Sequence, residues 1–328
     1  MIDLHCHLDG SITVEIAKKL ASLQNIELPA HSDQALLEKL SVPNTCESLN
    51  DFLQCFGLPL RLLQTKEGIK EAVYLVQENC LAQGLEYLEL RFAPQLHQIN
   101  GLSQDEVVFA ALEGLKQSTL HTNLILCLMR SDHSQEENME TIRVAKKFLV
   151  EDEGVVAIDL AGAEALFSTD SFEKEFSLAK ELNIPFTIHA GEASGPESVW
   201  KALSFGAKRI GHGVRSIEDK KLLQYLVQNK IALEMCPSSN RQTKAFRDMS
   251  KYPLKEFLDM GIKATINTDD MAICRTSLQN EYDYIEKMYN INFEQKKQLL
   301  LNACDAAFCS EQYKKILKNK IENLTIGG

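Results

Sequence analysis

Eight short runs rich in Val, Ile and Leu recur along the chain, at residues 1–4, 85–92, 123–129, 155–160, 185–189, 208–211, 231–235 and 262–267. Each is followed by a polar turn and then by a longer stretch with helical spacing. Apolar runs this short, separated by helical patterns, read as strands buried on both faces. Such strands predict a parallel sheet, and eight of them predict its closure into an α/β fold, a (β/α)8 barrel of the TIM type. The length of 328 residues permits this without demanding it, because barrels routinely outgrow the size at which other folds split. No linker, internal repeat or low-complexity stretch divides the chain, so residues 1–328 are read as a single domain. Residues 12–84 exceed one crossover helix and are expected to form extra helices covering the C-terminal mouth. The segment 171–182, SFEKEFSLAKEL, is expected to be a helix opened by a serine cap, with Phe172, Phe176 and Ala179 on its buried stripe. The rival layout is a doubly wound open sheet, but no GxGxxG or Walker motif opens any helix.

A formal net charge of -11 without a basic cluster argues against nucleic acid and anionic membranes as partners. A neutral nucleoside is compatible with it. Nine cysteines at irregular positions, several inside apolar runs, are expected to be reduced and the protein cytoplasmic. The N-terminus carries no basic region followed by a long apolar run, and no stretch approaches a membrane span, so neither export nor anchoring is expected.

His5 and His7 stand two apart on the first predicted strand, so their side chains share one face. His189 ends the fifth run, with Glu192 just beyond it in the turn AGE. His212 ends the sixth run, and the paired acids Asp269 and Asp270 end the last one in TINTDD. Strand ends of a barrel form one rim, which is where barrel enzymes keep their active sites. Imidazoles with a carboxylate suit zinc with one position open for water; manganese or iron would also fit, while calcium or magnesium would want mainly oxygen. A metal lowers the pKa of its water from near 16 to about 7, giving a nucleophile at neutral pH. Strand alternation is expected to turn Asp269 toward the metal and Asp270 toward the substrate.

Seven segments together resemble the adenosine deaminases of the metal-dependent amidohydrolase superfamily: HCHLDGS from His5, LELRFAP from Leu88, DLAG from Asp159, HAGEASGPES from His189, RIGHGV from Arg209, CPSSN from Cys236 and NTDD from Asn267. They span nearly the whole chain in the family's order. The resemblance implies one Zn2+ per chain, held by His5, His7, His189 and Asp269. It implies that Glu192 protonates N1 of the purine, that His212 orients the attacking hydroxide, and that Asp270 hydrogen-bonds N7. Asp9 would hold the ribose and the backbone N–H of Gly162 would meet the purine ring. The implied reaction is hydrolytic deamination of adenosine and 2'-deoxyadenosine to the inosines with release of ammonia. The alternative is a relative acting on adenine, AMP or a thio-nucleoside. Related adenine-type deaminases show HLEG where this chain has HLDG, and AMP would call for cationic groups that the matched segments scarcely offer.

Plainer readings stand beside these. Glu192 could complement the first turn of the following helix, His212 could be a core histidine satisfied by a neighbour, and Asp9 before glycine could shape a turn. Leu49, Phe52, Leu53 and Phe56 share one helical face, which reads equally as core or as an apolar lid over the substrate. Two positions depart from the resemblance: Ala163 where the family has aspartate after DLAG, and Met271 where it has proline after NTDD. A different hydrolysis on the same barrel is disfavoured because no lysine stands at a strand end to bridge a second metal. A non-catalytic relative would be expected to have lost a ligand or the acid, and none is missing. The zinc deaminases of polynucleotides carry H-x-E with P-C-x-x-C, whereas this chain has Cys236, Pro237, Ser238 and Ser239.

Overall fold

The computed structural model describes residues 1–131 and 134–325. Eight strands form: β1 Ile2–His7, β2 Tyr87–Phe92, β3 Thr122–Arg130, β4 Val155–Gly162, β5 Thr187–Ala190, β6 Arg209–His212, β7 Ala232–Met235 and β8 Lys263–Ile266. All eight expected runs became strands, shifted by a few residues at their ends. Within β1 to β4 and within β5 to β8 every neighbouring pair is parallel. Two narrow seams close the ring. Between β4 and β5, the Ile158 amide donates to Pro185 O at 3.0 Å. Between β8 and β1, the His7 amide donates to Asp269 O at 2.7 Å and the Asp269 amide to His5 O at 2.8 Å. Side chains reinforce the second seam: Leu4 N donates to Asn267 Oδ1 at 3.0 Å, and the Thr268 hydroxyl to Asp3 Oδ2 at 2.6 Å.

Alternation along the strands sorts residues to two faces. Leu88, Leu90 and Phe92 of β2, Leu124, Leu126 and Leu128 of β3, and Ile188 of β5 face the surrounding helices and are buried in the main apolar core. The crossover helices, from Lys66–Ala82 to Lys220–Asn229, supply the other half of that layer. A second cluster closes the opposite end of the barrel, where Ala303, Cys304 and Leu317 of the C-terminal helices meet Ile2, Leu4 and Tyr87.

The lumen is different. Aliphatic layers usually fill such a barrel, but here Glu89, Arg91, Asp159, Arg209 and Glu234 alternate with the outward apolar residues and are fully buried. Arg91 Nη1 donates to Asp159 Oδ2 at 2.8 Å and Nη2 to Glu234 Oε2 at 2.9 Å. Arg209 donates from Nε to Glu234 Oε1 at 2.7 Å and from Nη2 to Glu89 Oε2 at 2.5 Å. Charges survive burial only when paired and hydrogen-bonded, and each of these is.

The 12–84 insert is helical as expected, with helices Val14–Gln24, Asp33–Leu40, Leu49–Leu53, Gly57–Leu62 and Lys66–Ala82. The Leu49–Leu62 stretch is the part that reaches the mouth. The expected helix at 171–182 forms as Glu173–Glu181, with Phe172, Phe176 and Ala179 buried. Its serine cap is displaced: Ser168 caps a preceding 3-10 turn at Thr169–Phe172, and Ser171 lies inside that turn.

Candidate active site

Three imidazoles and a carboxylate meet at the C-terminal end of the barrel. The closest separations are 3.3 Å from His7 Nε2 to His189 Nε2, 3.2 Å from His5 Nε2 to Asp269 Oδ1, and 3.4 Å from His7 Nε2 to Asp269 Oδ1. Each rear ring nitrogen that the lumen can reach is backed by a carboxylate. Glu234 Oε2 lies 2.8 Å from His5 Nδ1, and Asp159 Oδ2 lies 2.8 Å from His189 Nδ1. Such partners fix the ring orientation and leave the front nitrogen as a lone-pair donor. His5 Nε2 is buried without a hydrogen-bond partner. A buried set of two to three histidines with one aspartate is the donor chemistry of a divalent metal site. His5, His189, His212 and Asp269 also form a compact group, but His212 Nε2 stands 3.8 Å from Asp269 Oδ2, farther than His7 stands from Oδ1.

The expected reason for the split between Asp269 and Asp270 requires correction. β8 ends at Ile266, so strand alternation does not extend to the two acids. Asp269 instead takes a left-handed backbone, φ 61°, which swings it toward the histidines while Asp270 opens the short helix Met271–Cys274. His212 ends β6 in the same left-handed region, φ 59°. For residues other than glycine this conformation is sparsely populated and marks sites where surrounding contacts enforce it.

A cavity of about 260 Å³ opens beside these groups. Its lining includes His7, Asp9, Gly162, His189, Glu192, His212, Asp269 and Asp270, with Leu49, Phe52, Leu53 and Phe56 on one side. Every other site residue expected from the sequence therefore faces one space, with His5 fully buried beneath it. Leu49 and Leu53 belong to a helix ending at Leu53, and Phe56 to a 3-10 turn at Gln54–Phe56, so the shared face is broken rather than a continuous helix. Phe52 serves both readings, packing against Cys46, Ile273 and Cys274 while bounding the cavity.

Burial pushes the Glu192 carboxyl up to about 8, helped by the nearby charges of Asp269 and Glu164. Thr243 Oγ1 donates to Glu192 Oε1 at 3.2 Å. The plainer duty at the following helix, Pro196–Phe205, is done by Glu197, which accepts the Gly195 amide at 2.9 Å. His212 is satisfied by a neighbour and still faces the cavity. Asn240 Nδ2 donates to its Nδ1 at 3.0 Å, leaving the proton of the neutral ring on Nε2, 3.6 Å from Glu192 Oε2. Tyr252 holds that amide in turn, donating to Asn240 Oδ1 at 2.8 Å.

Burial, then the adjacent Asp269 charge, pushes Asp270 well above the usual carboxylate range, and its Oδ1 is buried without a partner. Gly10 permits its approach: a Cβ there would lie 1.7 Å from Asp270 Oδ1. Burial raises Asp9 to about 6, and its Oδ1 accepts the Gly10 amide at 3.2 Å, so it shapes the turn as well as facing the cavity. Of the two departures, Ala163 lines the cavity, whereas Met271 is buried in the main core. Sequence reasoning passed over Glu234, Arg91, Arg209, Asn240 and Thr243. The first three left a signal: single charges alternating with apolar residues inside strands otherwise fit for full burial.

The sequence matches the family model described as adenosine deaminase over residues 1–324. It is 48% identical to an adenosine deaminase from Haemophilus ducreyi, covering 98% of this chain and 95% of that one. It is 40% identical to an adenosine deaminase from Enterococcus faecalis, covering 98% and 95%. In structure it is similar to an adenine deaminase from Arthrobacter aurescens, with a TM-score of 0.89 and 26% identity over 98% of this chain and 97% of that one.

Proposed function

The chain belongs to the adenosine deaminase family and catalyses the hydrolytic deamination of adenosine to inosine and ammonia, and within that reaction we propose the roles of its residues, its metal and its substrate preference. The metal is one zinc ion held by His5, His7, His189 and Asp269. Donors that would hold one zinc ion at about 2.0–2.1 Å each must lie within about 4.2 Å of one another. The separations of 3.2, 3.3 and 3.4 Å among these four side chains support that reading. When bound, the zinc supplies a hydroxide-strength nucleophile at neutral pH.

The protein's own groups do the rest. Glu192, still protonated at neutral pH, delivers a proton to N1, which makes C6 electrophilic. His212 holds the attacking oxygen on the Glu192 side of the cavity. Asp270 carries the proton that its burial favours and donates it in a hydrogen bond to N7, an acceptor. Asp9 accepts from a ribose hydroxyl, and the Gly162 amide meets the purine ring. Leu49, Phe52, Leu53 and Phe56 exclude water from the base. Residues 1–328 act as one catalytic unit, and the nine free cysteines support a cytoplasmic location. No helix among the described residues is long and apolar enough to cross a membrane.

The observation that carries the reading is the convergence of the four donors beside a carboxyl raised to about 8. Adenosine and 2'-deoxyadenosine are preferred over AMP because Arg130, the guanidinium that lines the cavity among the described residues, is already engaged. Its Nη1 donates to Phe167 O at 2.7 Å, and its Nη2 to Thr169 Oγ1 at 3.0 Å and His189 O at 2.7 Å. Structural similarity to an adenine deaminase keeps adenine as the second reading. Purified protein assayed by absorbance against adenosine, 2'-deoxyadenosine, adenine and AMP tests both. Faster turnover of the nucleosides is expected; equal or faster turnover of adenine would overturn the preference.

A further inference from the structure

Glu164 lies on the loop after β4, is 2% exposed, and enters the reaction as described so far only through its charge near Glu192. Its carboxylate gathers five donors. The amides of Gly191, Glu192, Ala193 and Ser194 approach at 2.8, 3.1, 2.7 and 3.0 Å, and the Ser198 hydroxyl at 2.5 Å. These four consecutive amides have no backbone acceptor among the described residues. They converge because Gly191 is left-handed, φ 68°, which curls the loop into a concave nest of N–H groups of the kind that binds anions. The chain fills this nest with its own carboxylate.

The middle of the nest is Glu192. A loop between a strand and a helix is ordinarily the most mobile part of a barrel, and proton transfer to a ring nitrogen requires the donor to be held within hydrogen-bond reach. Ser198 ties the same carboxylate to the helix Pro196–Phe205, and the Thr169 hydroxyl meets the Ser198 hydroxyl at 2.8 Å. The β4 loop and the β5 loop are thus joined at one point directly behind the acid.

We propose that Glu164 is a positioning residue for the deamination, whose carboxylate clamps residues 191–194 and thereby fixes the Glu192 side chain toward the purine. The proposal rests on the reading of Glu192 as proton donor. The clamp is tested by hydrogen exchange on the metal-loaded wild-type enzyme. Amides 191–194 are expected to be protected on the order of 100-fold or more relative to unstructured peptide. Exchange at exposed-loop rates would overturn the clamp.

Its purpose is tested by Glu164→Gln, whose amide group would face N–H donors. Expected is a fall in kcat of about 100-fold, the scale of an ~1 Å misplacement, with KM within about threefold and metal content unchanged. Wild-type kcat would overturn the proposal, as would a loss of kcat that merely follows a loss of metal or of folded protein. Glu164→Asp, which keeps the charge but shortens the reach, is expected to fall between the two, and equal loss in both variants would contradict positioning. Should neither variant fold, the exchange measurement on the wild type alone decides. Glu192→Gln separates this proposal from the reading beneath it: if that variant turns over normally, the donor role fails, while the exchange result still stands or falls separately.

Discussion

The barrel wall has two faces built on opposite principles. Outward, Leu, Ile, Val and Phe from the strands meet the helices in one apolar layer, where burial is non-directional and any well-packed side chain of suitable volume would serve. Inward, Glu89, Arg91, Asp159, Arg209 and Glu234 form a continuous ionic lattice whose upper members touch His5 and His189. Buried ion pairs add little net stability against apolar replacements, because desolvation consumes the attraction. What the lattice adds is direction: His5 and His189 are each backed by a carboxylate that is itself held by an arginine. The difference teaches that stability and site geometry are carried by separate faces of the same strands, so damage to one should leave the other readable.

Four substitutions would break or sharpen that division. Glu234→Ala should be the most damaging, because it strips His5, Arg91, Arg209 and Thr187 of a shared partner and leaves two buried guanidinium groups with one carboxylate each, Asp159 for Arg91 and Glu89 for Arg209. A loss of about 3–5 kcal/mol together with loss of bound metal is expected by denaturant unfolding and elemental analysis. Phe176→Ala, in the outer layer, should cost a similar 3–5 kcal/mol or so, yet leave kcat per folded molecule unchanged; a matching fall in kcat would erase the distinction. Gly10→Ala should reverse the pattern, since its Cβ would displace Asp270 and lower kcat/KM by about 10- to 100-fold at nearly wild-type stability. Lys255→Ala, removing an exposed pair with Asp259, should change stability by less than about 0.5 kcal/mol and turnover not at all. A pH profile sharpens the inner face further. On the proposed mechanism Glu192 must hold its proton, and its folded-state value is raised, so the alkaline limb of the kcat/KM profile is expected to fall as pH rises through about 8. A rate still climbing well above that point would exclude Glu192 as the acid.

How much of this was legible in the sequence follows from the same two faces. The outer layer announces itself through local composition, so all eight strands were readable, from Ile2–His7 to Lys263–Ile266. The strand-end residues were readable because a barrel sends all such ends to one rim. The lattice was harder, since Glu89 pairs with Arg209 and Arg91 with Glu234 across large sequence separations. The left-handed turn at Asp269 was not legible, because it is enforced by hydrogen bonds to β1 at the other end of the chain rather than by its own residue type. The anchoring of Glu192 by Glu164 was hidden for a similar reason: backbone amides carry no signature in a sequence.

The central claim is that the inner face exists to hold one cation. Purified enzyme should be stripped with a chelator and zinc returned in steps, with bound metal and turnover followed together. The account predicts that activity vanishes in the stripped protein and returns linearly to a plateau at one zinc per chain. Full turnover in protein carrying only a trace of any metal would contradict it.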